Sequence, residues 1–268
     1  MENNEINDLA GRDLWDKLYS KEKKVSSVED IKKTYISKRK VDFLQKYLTH
    51  KAGSKILEVG CAQSIWLPYF KKEFGYEIWG IDYSKKGCDL AKEILKNCEV
   101  DGFILHRDLL NDDISDLYNQ FEVVISFGLI EHFNNTEFII NIFKKFLNND
   151  GIIITLIPNY NGLIGVLQKR LGRNIYRSHK IINKEDLENA HSAGNFNCVF
   201  CNYFGSFNLC MLIYEDITGF LMRMFSITGR VVTETCWYLF DKLNWHPESK
   251  LLSPYIVYVG EKNLKNCK

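Results

Sequence analysis

Apolar positions along the chain follow two alternating rhythms. KILEV at Lys55 to Val59, EIWGI at Glu77 to Ile81, Gly102 to His106, EVVISF at Glu122 to Phe127 and IIITLI at Ile152 to Ile157 have the length and β-branched content of buried strands. Helix-length segments lie between them: one carrying Trp66, Leu67, Tyr69 and Phe70, then Ser84 to Lys96, a short helix at Ile114 to Tyr118, and Glu137 to Leu147. An NNDG turn at Asn148 to Gly151 leads into the fifth run, which Pro158 stops. Strands that alternate with helices predict an α/β, doubly wound, mostly parallel sheet covered on both faces.

Before this series, Ile36, Phe43, Leu44, Tyr47 and Leu48 recur at a helical period within a charged stretch from Val28 to His50, which reads as an amphipathic helix ended by Gly53. After it, Lys184 to His191 reads as helix, Asn197 to Phe204 as extended chain and YIVYV at Tyr255 to Val259 as a last strand. A stripe of Leu209, Leu212, Ile213, Ile217, Phe220, Leu221, Met224 and Phe225 reads as helix, with a second helical segment around Trp237, Tyr238 and Phe240. Its expected role is core or cap packing. Glu215, Asp216, Arg223 and Arg230 interrupt it too often for a membrane span, though they leave room for peripheral membrane contact. The organisation expected is an N-terminal helical segment (1–50), a core (51–158) and a remainder (159–268) that completes the sheet and carries a helical cap over the substrate near 207–249.

Composition changes this picture little. With 46% hydrophobic and 26% charged residues the chain is an ordinary globular one, and 35 basic against 34 acidic residues give a net charge of +1. No surface built to neutralise many phosphates is implied, so nucleic acid is not an expected partner. Eight cysteines (Cys61, Cys88, Cys98, Cys198, Cys201, Cys210, Cys236, Cys267) are scattered through apolar segments and read as reduced thiols. The beginning, MENNEINDLAGRDLWDKLY, has neither the apolar run of a signal peptide nor an Arg-rich transit pattern, which points to the cytoplasm.

Candidate chemistry sits where a doubly wound sheet binds ligands, just beyond the carboxyl ends of its strands. The first strand runs into Glu58-Val59-Gly60-Cys61-Ala62-Gln63-Ser64, a turn of small residues that lets backbone approach a ligand. The second ends in Asp82-Tyr83, at the spacing where an acid accepts both hydroxyls of a ribose; Asp108-Leu109 follows the third, and Phe127-Gly128-Leu129-Ile130-Glu131-His132 ends the fourth. A dinucleotide fingerprint fails, because Ala62 and Ile65 fill its later glycine positions. A carboxylate at Glu58 repels phosphate and attracts ammonium or sulfonium. The ligand implied carries ribose and positive charge without phosphate.

At these residues the chain resembles the class I, Rossmann-like S-adenosylmethionine-dependent methyltransferases, in their small-molecule branch. The resemblance is good from Lys55 to Pro158, where Glu58, Gly60, Ala62 and Ser64 occupy the positions of an E-x-G-x-G-x-G motif with two glycines replaced. It implies S-adenosyl-L-methionine as cofactor and a seven-stranded sheet whose last strand is antiparallel. It also implies ribose binding by Asp82 beside Tyr83, adenine binding by Asp108 with the Leu109 backbone, and Phe127, Gly128 and Leu129, with the Gly60, Cys61, Ala62 and Ser64 turn, along the methionine. The activity expected is methyl transfer to a hydroxyl or amine of a small or medium-sized acceptor. The alternatives are a methyltransferase of RNA or protein, against which the absence of a Pro-Pro-Tyr element after Phe127 speaks, and a non-catalytic cofactor-binding scaffold protein.

In-line methyl transfer needs positioning above all, and a base where the acceptor must lose a proton. His132 is the first candidate base, or else a histidine that hydrogen-bonds the backbone and orients the loop; Glu131 is its orienter or a cap of the following helix; and His179, in Arg177-Ser178-His179-Lys180, is a second candidate whose reading as a surface histidine is favoured. N-terminal segments of similar methyltransferases close over the donor, which Trp15 and Tyr19 would do here, with core packing of that segment as the equal alternative. No metal site is expected: Cys198 and Cys201 form a C-x-x-C pair without a second pair, and positions i and i+3 of a strand face opposite sides, so they read as core thiols. Lys32, Lys33, Lys38, Arg39 and Lys40 read as a solvated helix face.

Overall fold

The computed structural model describes residues 6–20, 28–31, 34–49, 53–215 and 217–263; Lys32, Lys33, Asp216, Cys267 and the expected boundary at 50–51 lie outside them. Seven strands, β1 (Lys55–Val59), β2 (Glu77–Asp82), β3 (Phe103–His106), β4 (Phe121–Phe127), β5 (Leu147–Pro158), β6 (Phe196–Phe204) and β7 (Tyr255–Lys262), form one sheet in the order β3-β2-β1-β4-β5-β7-β6. β1 to β5 pair in parallel, and the last strand, β7, runs antiparallel to both β5 and β6. The winding reverses between β1 and β4, so a crevice opens at their carboxyl ends.

Helices α1 (Arg12–Tyr19), α2 (Val28–Ile31) and α3 (Tyr35–Tyr47) precede the sheet; α4 (Trp66–Phe74), α5 (Lys85–Asn97) and α6 (Thr136–Phe146) connect its parallel strands. α7 (Leu163–Leu171), α8 (Arg173–Arg177), α9 (Lys184–Ala193) and α10 (Gly219–Lys242) follow β5. Local chemistry sets their starts. Asn135 caps α6 by accepting from Phe138 N at 3.0 Å, and Asn183 and Asp186 form a reciprocal capping box at α9. Gly75 ends α4 in the left-handed conformation. One face of the sheet buries Ile56, Ile78, Val123 and Ile125 against Phe43, Leu44, Leu67 and Phe70; the other buries Leu57, Ile81, Val124 and Ile153 against Ile139, Phe143 and Leu187. Each such fully buried side chain stabilises the fold by roughly 2 kcal/mol.

Four expectations change. The stretch from Val28 to His50 holds two helices, because Thr34 starts a new one by accepting from Ser37 N. The NNDG segment is an excursion within β5, whose pairing with β4 jumps from Leu147 to Ile152. The stripe from Leu209 is broken: a single 3-10 turn (Leu209–Met211) gives way to extended chain, and α10 then takes in both of the expected helical segments. Leu212 leaves the stripe for a small cluster with Tyr160 and Ile164. Finally, a bulge between Cys198 and Phe200 sets Cys198 opposite Gly260 and Cys201 opposite Tyr258, so the two thiols share a face of edge strand β6, and Cys198 is exposed. No described helix is long and apolar enough to cross a membrane.

Candidate donor site and its histidine cluster

The turn after β1 is built from a left-handed Gly60 (φ 80°) and a left-handed Gln63 (φ 56°), with Gly60 N and Cys61 N donating to Ile81 O at 2.9 and 3.3 Å. A Cβ at Gly60 would lie 3.1 Å from Leu129 Cδ1, so the backbone here forms a cradle that a side chain would fill. Glu58 and Ser64 lie buried behind the turn, Ser64 Oγ donating to Glu58 Oε2 at 2.5 Å, and burial pushes the Glu58 carboxyl up to about 8. Lys40 is half-buried and does not belong to a solvated face. Its Nζ stands 4.4 Å from the Tyr255 ring centre and 5.5 Å from that of Phe127, and burial pushes it down to about 8 against the opposing pull of Glu58. Cys61 is buried against Gly80, where a Cβ would come within 2.6 Å of its sulfur.

Asp82 and Asp108 stand on the next two strand ends. Asp82 Oδ2 accepts from Ala62 N at 3.1 Å and Oδ1 from Ser84 N at 2.8 Å, so one carboxylate ties the β1 turn to the start of α5. Burial pushes it up to about 6, against the amide hydrogen bonds. Asp108 Oδ1 accepts from Leu110 N at 2.9 Å, with Arg12 Nη2 3.5 Å from Oδ2. The N-terminal segment crosses above: Leu9 N donates to His132 O at 2.7 Å, and Tyr83 Oη donates to Asp8 Oδ2 at 2.6 Å. A cavity of about 370 Å³ lies below it. Gly60, Ala62, Asp82, Tyr83, Asp108, Leu109, Phe127, Gly128, Leu129 and His132 line it, and Trp15 and Tyr19 close it. No described residue of the expected cap near 207–249 lines this cavity.

His132, which lines the cavity, meets Glu131 and His179, with one ligand-type atom of each within 4.8 Å of the others. The short 3-10 turn Ile130–His132 buries the first two; α8 and the turn after it bring in His179, whose ring centre lies 4.3 Å from that of His132 and 4.6 Å from that of Tyr160. His179 is therefore no surface residue. Burial depresses both imidazoles, His179 down to about 3, and pushes the Glu131 carboxyl up to about 8. The sequence pattern gave no sign of Asp8, Arg12 or Tyr160 at this site, since none follows an apolar run at a switch-point strand.

A family profile described as "Methyltransferase domain" matches residues 32–203. The chain belongs to that family. The cavity has the features that S-adenosylmethionine requires: paired carboxylates at the β2 and β3 ends, a backbone cradle at Gly60 and no glycine-rich diphosphate loop. The methyltransferase is 28% identical over 107 residues to a ubiquinone biosynthesis O-methyltransferase of Pelagibacter ubique, the match covering 39% of this chain and 42% of the relative. A protein of the same name from Actinobacillus pleuropneumoniae is 24% identical over 173 residues, covering 59% of this chain and 72% of the relative. In fold the methyltransferase is similar to Haemonchus contortus phosphoethanolamine N-methyltransferase 2 in complex with S-adenosyl-L-methionine, with a TM-score of 0.56 and 15% identity over 84% of this chain and 52% of that one.

Proposed function

We propose that the enzyme methylates a hydroxyl of a small or medium-sized acceptor, and that the cavity holds donor and acceptor at its opposite ends. The observation that carries this reading is the polarity of the cavity. Asp82 and Asp108 offer acceptors for ribose and adenine on the β2 and β3 side, and His132, with Glu131 and His179 packed beside it, offers an imidazole lone pair on the β4 side. When bound, S-adenosylmethionine supplies a methyl group activated by a sulfonium centre. Gly60, Ala62 and Leu129 would hold its methionine portion, and Asp82 would receive its ribose. Trp15 and Tyr19 exclude water above the reacting atoms, which strengthens electrostatic interactions within. Toward the acceptor, His132 turns Nε2 to the cluster while Nδ1 donates to Ser178 O at 2.7 Å, so the face that meets a hydroxyl carries a lone pair.

A hydroxyl is favoured over an amine because both curated relatives are named O-methyltransferases. The test is formation of S-adenosylhomocysteine and of a methyl ether when purified enzyme meets a panel of phenolic, catecholic and aliphatic alcohols. His132→Ala should lower turnover by on the order of a hundredfold with little change in calorimetric affinity for S-adenosylhomocysteine. Methylation confined to amines, or a variant with wild-type turnover, overturns the reading.

A further inference from the structure

We propose that Glu131, His132 and His179 form a binding site for one first-row divalent transition-metal ion, open on the side of the cavity. The three side chains present acceptors to one another. His132 Nδ1 lies 2.7 Å from Ser178 O and His179 Nδ1 lies 2.6 Å from Ile175 O. A carbonyl only accepts, so each ring carries its proton on Nδ1 and holds a lone pair on Nε2. Backbone carbonyls orient metal-bound imidazoles in this way. Glu131 completes the set: it is 2% exposed, and neither carboxylate oxygen has a hydrogen-bond partner. His132 Nε2 stands 3.9 Å from Oε1, too far for a hydrogen bond. A ring nitrogen of each histidine and an unpartnered carboxyl converge in a buried place, within 4.8 Å of one another, a set of polar groups that a bound cation would satisfy.

Two nitrogens and one carboxylate suit borderline ions such as Fe²⁺, Co²⁺ or Zn²⁺ and leave coordination positions free. Ligand atoms around such an ion, at bonds of about 2.1 Å, stand roughly 3 to 3.5 Å apart, within about 1 Å of side-chain adjustment from the present arrangement. Gly128 and His132 line the cavity, and a Cβ at Gly128 would lie 3.5 Å from Glu131 Oε1, so the free positions adjoin it. There an acceptor oxygen would complete the coordination, the bound ion rather than the His132 lone pair then easing the loss of its proton. That role rests on the function proposed above; binding of the ion does not.

The test is titration of chelator-treated, full-length protein with Co²⁺ alone, followed by visible absorption and calorimetry. The expected result is one ion per chain, with nitrogen and oxygen ligand-field bands and no thiolate charge-transfer band. His179→Ala should weaken Co²⁺ binding by more than about tenfold, the loss that removing even an outer-shell partner brings, while S-adenosylhomocysteine binds as to wild type. If that variant does not fold, Glu131→Gln replaces it, and anomalous scattering from a Co²⁺-soaked wild-type crystal locates the ion directly. No saturable binding, an unchanged affinity in the variant, a thiolate band or an ion lying elsewhere overturns the site. Ion bound in the cluster with no hydroxyl methylated defeats the proposed function and leaves the site standing; methylation by protein that binds no Co²⁺ does the reverse.

Discussion

Ala62 stands where similar methyltransferases have glycine, and the methyl it adds is received by a residue that has none. A Cβ on Gly87 would lie 2.5 Å from Ala62 Cβ and 3.3 Å from Tyr19 Cε2, so Gly87 in the first turn of α5 makes the substitution tolerable. Gly87→Ala should therefore destabilise the protein by about 1 to 3 kcal/mol and weaken cofactor binding, while adding Ala62→Gly restores part of both; denaturation and calorimetry on the four proteins measure the coupling. Asp82 gives a test in pH. Its carboxyl is pushed up to about 6, and the ionised form is the better acceptor for ribose, so affinity for S-adenosylhomocysteine should fall as pH drops below that value, approaching tenfold per unit. Asp82→Asn should bind more weakly and lose that dependence between pH 5 and 7. In the cofactor-free protein the sign is opposite: a raised acid stabilises the fold below its unfolded pKa and loses that contribution as pH rises through 6. Glu58, Asp82 and Phe127 were legible because each lies at the carboxyl end of a parallel strand. Lys40 was not, since a helical period says which face a lysine occupies and not that Phe127 and Tyr255 wait beneath it.

At the scale of elements, the sheet was legible from continuous apolar runs, and the late helices were not. α10 shows why. Among its described residues only Gly229 and Thr233 are buried, whereas Phe220 is 76% and Leu221 57% exposed. Its apolar residues matched the composition of a packed cap, and composition carries no record of whether a partner face exists. A narrow seam holds the helix: Leu209 N donates to Thr233 Oγ1 at 2.9 Å and Trp237 Nε1 to Phe207 O at 2.7 Å. Thr233→Val leaves Leu209 N without that acceptor and should raise amide exchange along α10, at a cost of about 1 to 3 kcal/mol. Phe220→Ser should change thermal stability by no more than about 0.5 kcal/mol, because the ring meets solvent already. The bulge in β6 escaped for a related reason: one extra residue inverts the facing of every position beyond it, and no pattern of types marks where it falls.

At the scale of the whole molecule, residues far apart in sequence converge on one crevice, and the N-terminal segment is its roof. Asp8 pairs with Phe133 in a short antiparallel bridge, and Ser84 Oγ donates to Asp16 Oδ1 at 2.6 Å. Removing residues 1–20 should therefore speed release of S-adenosylhomocysteine in stopped-flow measurements while the melting temperature without ligand changes little. The pocket behind the β1 turn has a further effect on the solution around the protein. Glu58, pushed up to about 8, is mostly protonated at neutral pH, and a cationic cofactor favours its ionised form. Capture of S-adenosylmethionine should then be acidifying: close to one hydrogen ion leaves for each molecule bound, and the heat of binding at pH 7 shifts with the ionisation enthalpy of the buffer. In Ser64→Ala, where the carboxylate loses its hydroxyl donor, that release should be nearer complete, and near pH 9, with Glu58 already ionised, the buffer no longer matters.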